Sequence, residues 1–281
     1  MSSGRAEQCG GAYRSCGESS LRVRGARASS EQLMCAKGDR IRCVLFDLYG
    51  TLLDVRLNED SPALWDGLAI AIRRCGGGVG SPMDVHARFR QILHDEASRR
   101  QEGFLMEPAF RRLLASFGAA DNVASLGRTF RQLSTEELTI RPYARPLFER
   151  LRQHFCAIGI VSNTEAVLTR FDLDRFPMLL STDTIVLSSD VGVRKPDPRI
   201  FHIALDRLHA EAASAVVVGN SLSEDIEGAL RAGLRAIYVD DKANRIEPMC
   251  DQMTPVLRVR PAFADLARAL DMLGGRPLSD S

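Results

Sequence analysis

Polar side chains that could act in nucleophilic chemistry follow short apolar runs at several points in the sequence. Asp47 comes directly after the run Ile-Arg-Cys-Val-Leu-Phe, and Lys195 lies in the unusual setting Lys-Pro-Asp-Pro. A carboxylate is ionised at neutral pH, so it can attack an electrophile without a neighbouring base. A lysine nearby would supply positive charge to a developing anion. These residue types are therefore suited to nucleophilic attack on a phosphorus or on an activated carbon.

Four polar clusters of this kind occur in order along the chain. They are Asp47 with Gly50 and Thr51, then Ser162-Asn163, then Lys195, and finally Asn220-Ser221 with Glu224-Asp225. Three of them follow apolar runs. Because the carboxyl ends of parallel strands meet at one edge of a sheet, we expect the clusters to converge there.

The elements that must position these clusters are short apolar strands that alternate with helices. The predicted strands cover residues 41–46, 157–161, 184–187, 215–218 and 235–239. A helix is predicted through Ile200, Phe201, Ala204 and Leu205. Continuous apolar strands separated by helices are typical of a doubly wound parallel sheet, so the predicted fold class is α/β.

Residues 58–139 are predicted to form a helical cap inserted into this fold. Strand patterns are absent from the sequence there, and apolar residues recur at helical spacing in three stripes. The stripes are Trp65, Leu68, Ala69 and Ile72; Phe89, Ile92 and Leu93; and Phe110, Leu113, Leu114 and Phe117. The predicted α/β core is then 39–57 together with 140–281, joined to the cap by hinges near 54–58 and 139–143. Gly76-Gly77-Gly78 lacks a preceding strand, which favours an interhelical turn over a phosphate loop.

Composition excludes some partners and leaves the site to decide the rest. The 281 residues carry a net charge of +1, which gives no electrostatic footprint for nucleic acid or an acidic membrane. The seven cysteines show no paired metal or redox spacing, and no apolar stretch is long enough to span a membrane. We therefore expect a cytoplasmic protein that acts on a small-molecule substrate. The sequence does not indicate its oligomeric state. Residues 1–38 are predicted to be a disordered tail. Met34 lies shortly before the first predicted strand, so a translation start at Met34 is a hypothesis that sequencing of the native N-terminus would test.

Taken together, the four clusters resemble the four sequence motifs of the haloacid dehalogenase superfamily, from about residue 41 to 240, and the insertion resembles that family's C1-type cap. The resemblance implies a Rossmann-like fold and hydrolysis through a covalent aspartyl intermediate. It implies catalytic roles for Asp47 as nucleophile and for Thr51, Ser162 and Lys195. Substrate binding would fall to Ser162, Asn163 and Tyr49. A Mg²⁺ site would be formed by Asp47, Tyr49, Asn220 and Asp225.

Two positions depart from the phosphatases of that family. Tyr49 stands where they usually carry a general-acid Asp, and Asn220 stands where they usually carry a metal-binding Asp. An aromatic residue at the Tyr49 position resembles the metal-free L-2-haloacid dehalogenases. Those enzymes, however, have a Tyr where this chain has Phe201.

Three functions therefore stay open. The first is a phosphatase of small phosphomonoesters, which we rank first. The second is an L-2-haloacid dehalogenase, and the third is a non-catalytic binding or regulatory protein. The dehalogenases also use a substrate-binding arginine from the cap, for which Arg73, Arg74, Arg99 and Arg100 are candidates without a distinguishing context.

Overall fold

The structure is a computed structural model that describes residues 40–99, 106–154, 156–249 and 256–274. The predicted tail at 1–38, including Met34, lies outside the described residues. Within the described part of the chain, no helix is long and apolar enough to cross a membrane.

Strands account for nine segments of the described chain. They are β1 (Cys43–Phe46), β2 (Leu53–Leu57), β3 (Thr135–Ile140), β4 (Ala157–Ser162), β5 (Thr184–Leu187), β6 (Ala215–Gly219), β7 (Arg235–Val239), β8 (Glu247–Pro248) and β9 (Val256–Val259).

Helices fall into an inserted group and a group that flanks the sheet. The inserted group is α1 (Pro62–Arg74), α2 (Pro82–Arg99), α3 (Met106–Ser116) and α4 (Val123–Ser134). The flanking group is α5 (Ala144–Gln153), α6 (Ala166–Asp174), α7 (Pro177–Leu180), α8 (Ser188–Val191), α9 (Arg199–Leu208), α10 (Glu227–Arg231) and α11 (Phe263–Gly274). A 3-10 turn at Ala212–Ser214 precedes β6, and a π-helical turn at Leu222–Ile226 follows it.

The described residues form a seven-stranded sheet in the order β5-β4-β1-β6-β7-β9-β8. All neighbours are parallel except β8, which runs antiparallel to β9. Strand β1 is wholly buried because helices cover both of its faces. Leu45 belongs to the same core cluster as Ile200 and Phe201 of α9, whereas the Phe46 ring lies 5.3 Å from that of Phe148 on α5. This double burial explains why the predicted strands are continuously apolar, and it confirms the α/β prediction.

The four inserted helices pack around an apolar cluster of their own. Phe89, Phe110 and Phe130 lie at its centre, with ring centroids 5.4 to 5.6 Å apart. They come from α2, α3 and α4, and two of them begin predicted stripes. Gly76-Gly77-Gly78 lies between α1 and α2, as expected for an interhelical turn. We call α1 to α4, Pro62–Ser134, the helical unit.

Two strands occur where the sequence analysis predicted none. Strand β2 overlaps the first predicted hinge, whereas most of β3 lies inside the segment 58–139 that was predicted to be helical, so the prediction is wrong for residues 135–139. Strands β2 and β3 pair antiparallel as a ribbon separate from the main sheet, with Leu53 opposite Ile140 and Val55 opposite Leu138. The segment Leu53–Leu57 alternates apolar and polar side chains, but five residues are too few to separate a strand from a loop by periodicity. At the base of the ribbon, Arg141 pairs with Asp54 at 2.7 Å and with Asp241 at 2.9 Å.

Candidate active site

Asp47 occupies the centre of the sheet's carboxyl edge. It follows β1, which is bordered by β4 and β6, and its backbone N–H donates to the Val218 carbonyl at 2.9 Å. The side chain is almost fully buried, with 7% of the residue exposed. Three of the predicted polar clusters follow these three adjacent strands, so the topology brings them to one place.

The Lys195 ammonium lies between two carboxylates at this edge. Its Nζ is 2.6 Å from Asp47 Oδ1 and 2.5 Å from Asp225 Oδ1, and it also donates to the Val161 carbonyl at 3.0 Å. All three ionisable side chains are buried. One ammonium and two carboxylates together carry one net negative charge. Because a buried charge without a partner is costly, the lysine must remain close to both acids.

The backbone of Lys195 is held by Asn163. The Asn163 side-chain amide donates to the Lys195 carbonyl at 2.8 Å, and its oxygen accepts from the Lys195 N–H at 2.7 Å. This reciprocal pair fixes the lysine loop against the end of β4. Ser162, the last residue of β4, is 2% exposed and lies beside the strand that carries Asp47. Substrate binding by Ser162 and Asn163 stays a prediction.

Asp225 is aimed at Lys195 by the π-helical turn that follows β6. Its Oδ2 accepts from the backbone N–H of Ser221 at 2.9 Å, which leaves Oδ1 for the lysine. Gly219 makes this possible, because a Cβ at that position would lie 2.4 Å from the Asp225 carboxyl carbon. The sequence analysis left open whether Asp225 binds a metal or orients Lys195, and the structure shows the contact with Lys195.

Thr51 and Asn220 connect the first polar cluster to the fourth. The Thr51 hydroxyl donates to Asn220 Oδ1 at 3.2 Å, and the Thr51 carbonyl accepts a hydrogen bond from the Tyr143 hydroxyl. Gly50 has a φ of 81°, and a Cβ there would lie 2.3 Å from Asn220 Nδ2. Glycine is therefore required both by the backbone and by the close approach of the amide. The hydrogen bond to Asn220 therefore connects the Thr51 side chain to the site.

Burial and charge shift the pKa values of this site in ways that suit a nucleophile. Burial raises the pKa of Asp47 to about 6, although Lys195 partly offsets the effect. Burial alone would lower the pKa of Lys195, but the two carboxylates outweigh it and raise that pKa above its ordinary value. At neutral pH the pair is therefore a carboxylate beside an ammonium.

The Tyr49 side chain is directed away from this pair into a second buried network. Its hydroxyl donates to Asp172 Oδ2 at 2.6 Å and lies 3.3 Å from Thr169 Oγ1. Arg131 of α4 donates to the same Asp172 oxygen, from Nε at 2.8 Å and from the terminal NH2 at 2.5 Å. The guanidinium carbon also lies 5.4 Å from the centroid of the Tyr49 ring. Burial raises the pKa of the Tyr49 phenol, so it stays protonated and acts as a donor.

Sequence analysis missed Arg131 and Asp172, although both carry a periodic signal. On α4, Gly127, Arg131 and Ser134 are buried at helical spacing, and on α6 Thr169, Asp172 and Leu173 are buried in the same way. A charged residue on the apolar stripe of a helix indicates a buried partner.

Of the cap arginines named above, Arg73 donates to the carbonyls of Val79 and Gly80 in the α1–α2 turn. The Arg74 side chain is exposed, the structure gives no side-chain environment for Arg99, and Arg100 lies outside the described residues.

The donor set at the sheet edge consists of hard oxygen atoms, which fits Mg²⁺ in type. Asp47 and Asp225 bring carboxylates, and Asn220 brings an exposed amide whose oxygen faces Thr51. Among the described residues there is no cluster of three or more His, Cys, Asp or Glu side chains arranged to hold a metal. Asn220 is neutral, so it adds no third carboxylate to this donor set.

Comparison with known proteins identifies the family. Residues 41–233 match the family model described as haloacid dehalogenase-like hydrolase. The chain therefore belongs to the haloacid dehalogenase-like hydrolases, as its motifs, sheet order and inserted helices indicate.

The relatives that this chain resembles include proteins named as phosphatases and a protein named as a dehalogenase. The chain is 37% identical to a glyceraldehyde 3-phosphate phosphatase of Methanothermobacter thermautotrophicus, over 74% of this chain and 89% of the relative. It is 25% identical to (S)-2-haloacid dehalogenase 4A of Burkholderia cepacia, over 80% of this chain and 96% of the relative. Among solved structures, a phosphatase of this superfamily from Thermococcus onnurineus is 26% identical, with a TM-score of 0.53 over 84% of this chain and 100% of the other.

Removal of the lysine charge tests the arrangement at the sheet edge. Lys195→Met leaves Asp47 and Asp225 buried without their cation, so we expect the free energy of unfolding to fall by about 3–5 kcal/mol. Urea unfolding followed by circular dichroism measures this. Lys242→Met, at an exposed lysine, is the control and should change stability by less than about 0.5 kcal/mol. Equal effects of the two substitutions would contradict the buried ion-pair arrangement.

Proposed function

We propose that this hydrolase cleaves small phosphomonoesters through a covalent intermediate on Asp47. The observation that carries the proposal is the buried Lys195 ammonium, 2.6 Å from Asp47 and 2.5 Å from Asp225. It holds the nucleophile in place and supplies positive charge where a phosphoryl group would sit. The 37% identical relative named as a glyceraldehyde 3-phosphate phosphatase supports this substrate class.

In the proposed reaction, a carboxylate oxygen of Asp47 attacks phosphorus and the bond from phosphorus to the ester oxygen breaks. The alkoxide leaves and takes up a proton, and water then cleaves the aspartyl phosphate to release inorganic phosphate and restore Asp47. Lys195 stabilises the added negative charge electrostatically. Ser162 and Asn163 bind the substrate in this proposal, whereas the Tyr49 side chain, which is directed toward Asp172, takes no part in binding it. Thr51 supports the site through Asn220.

Mg²⁺ would be held by Asp47 and Asp225, the Tyr49 backbone carbonyl and the Asn220 amide oxygen. When bound, the ion would neutralise charge on the phosphoryl oxygens and the carboxylate. Because Asn220 is neutral, the chain offers this cation one negative charge fewer than an Asp would. We therefore expect weak Mg²⁺ binding.

The absence of a carboxylic acid at position 49 predicts a strong dependence on the leaving group. The Tyr49 phenol is already committed to Asp172, so the departing alkoxide must take its proton from water. Loss of a general acid typically costs about 10²- to 10⁴-fold, and poor leaving groups suffer most. We expect kcat for p-nitrophenyl phosphate to exceed that for an alkyl phosphomonoester by about 10²-fold or more. Equal kcat values would indicate an acid that this proposal does not contain.

Substitution of the nucleophile tests the covalent step. Asp47→Asn replaces a carboxylate by a poorly nucleophilic amide, so turnover should be lost while the circular dichroism spectrum is unchanged. Asp66→Asn, on the exposed surface of α1, is the control and should retain wild-type activity. Mass spectrometry of the enzyme quenched during turnover should place a phosphoryl group on Asp47. A phosphoryl group on another residue, or full activity of Asp47→Asn, would contradict the proposal.

Dehalogenation of a 2-haloacid is the second candidate, favoured by the neutral Asn220 and by the aromatic ring of Tyr49 in the nucleophile loop, which we define as residues 47–53. The 25% identical relative named as a haloacid dehalogenase is consistent with it. In that reaction Asp47 would attack carbon and displace halide without a metal, and the same Lys195 would support it.

Asn220→Asp separates the candidates. For a phosphatase it should tighten Mg²⁺ binding by about tenfold or more in isothermal titration calorimetry and should raise phosphate release. For a dehalogenase it should place another carboxylate near Asp47 and slow halide release. Full phosphatase activity of the wild type in excess chelator would contradict the metal assignment. Failure to turn over phosphate esters and 2-haloacids, before and after the change, would leave a binding role as the outcome.

A further inference from the structure

The buried network around Asp172 joins three parts of the molecule that are far apart in sequence. Tyr49 belongs to the nucleophile loop, two residues after Asp47, and Arg131 lies on the last helix of the helical unit. Asp172 on α6 is 0% exposed, and one of its oxygens accepts from both partners. A single carboxylate oxygen therefore connects the nucleophile loop to the helical unit.

The same network also reaches the second polar cluster. The Tyr49 hydroxyl contacts Thr169, whose own hydroxyl is hydrogen-bonded to that of Thr164. Thr164 directly follows Ser162-Asn163, and Asn163 holds the backbone of Lys195. The network thus touches the loops that carry both the nucleophile and the support of its lysine.

Stability alone gives a poor account of charges in this position. A buried ion pair must overcome the desolvation of both groups, and apolar side chains of similar volume are often at least as stabilising. The second oxygen of Asp172, Oδ1, is buried and makes no hydrogen bond within the described part of the chain. Only one oxygen of this carboxylate is hydrogen-bonded within the described part of the chain. Its presence is better explained by the way it orients Tyr49 and Arg131 than by a contribution to the stability of the fold.

We propose that Asp172 is a positioning residue for the reaction at Asp47. It fixes the Tyr49 side chain, and through it the nucleophile loop, only while Arg131 of α4 is in place. The geometry of the nucleophile therefore depends on the docking of the helical unit. The kinetic part of this inference rests on the proposed function, whereas its structural part does not.

The chain offers a matched control on the same two helices. Arg128 of α4 pairs with Asp174 of α6 at 3.4 Å, and its guanidinium carbon lies 5.4 Å from the centroid of the Phe171 ring. This pair is exposed, with side-chain exposures of 59% and 52%, and it does not contact the nucleophile loop in the described structure. It repeats the chemistry of the Arg131 pair without the link to Tyr49.

The kinetic test is a double-mutant cycle of Tyr49→Phe and Asp172→Asn. Each single variant should lower kcat about tenfold and leave KM within about twofold, because the nucleophile is displaced while substrate contacts remain. The double variant should be no slower than the slower single variant, since both remove the same link. Arg128→Met and Asp174→Asn should leave kcat and KM unchanged. Additive losses in the cycle, or wild-type kcat in Asp172→Asn, would overturn the proposal.

A stability loss could obscure these rates, so the cycle is repeated in a charge-neutral background. Arg131→Met combined with Asp172→Asn removes both charges and leaves no buried ion unpaired. In that background Tyr49→Phe should have no further effect on kcat. A further loss of about tenfold there would show that Tyr49 acts independently of Asp172, against the proposal.

Hydrogen exchange tests the coupling without any turnover. The N–H groups of Gly50, Leu52 and Leu53 are hydrogen-bonded within the nucleophile loop at 2.7, 2.8 and 2.8 Å. Arg131→Met should accelerate their exchange by about tenfold, whereas Arg128→Met should not. Equal exchange in the two variants would overturn the proposal. If the protein had no phosphatase activity, the proposed function would be wrong. The exchange rates would still test whether Arg131 is coupled to the nucleophile loop, because they do not depend on turnover.

Discussion

The buried ammonium of Lys195 is the charge on which the rest of the site depends. Without it, two buried carboxylates would share this edge of the sheet with no cation to compensate their charge. The backbone of the lysine is clamped by Asn163, its carboxylate partner Asp225 is aimed by a π-helical turn, and Gly219 leaves room for that carboxylate. Asn163 follows β4, Asp47 follows β1 and Asp225 follows β6, and these three strands are neighbours in the sheet. The strand order therefore brings the members of the ion cluster together.

Much of this arrangement could be predicted from sequence because its parts obey short-range rules. A buried parallel strand needs a continuous apolar run, and a polar residue after that run must lie at the carboxyl edge. Asp47, Ser162 and Asn220 were located by this reasoning alone. The residues 41–233 that match the family model span these positions, and the observed sheet has the predicted class.

Other parts depend on contacts between distant segments and could not be predicted. The ribbon of β2 and β3 joins residues about 80 positions apart, and each strand alone is too short for its periodicity to be distinctive. The Asp172 network needs three elements to be placed before any pairing is visible. Its members lie on the apolar stripes of α4 and α6, so the sequence indicates burial but not the partner. The direction of the Tyr49 side chain, away from Asp47, follows from that same pairing.

The β2–β3 ribbon has a mechanical consequence for the helical unit. The chain enters and leaves that unit through two strands that are hydrogen-bonded to each other, so the two crossings cannot shift independently. A pair of separate linkers would permit swinging, sliding and twisting, whereas a paired ribbon resists shear along its length and bends most easily across its plane. At the foot of the ribbon, the ion pairs of Arg141 with Asp54 and Asp241 anchor one end to the sheet. If the helical unit opens, the paired ribbon would therefore confine the movement largely to a single rocking coordinate.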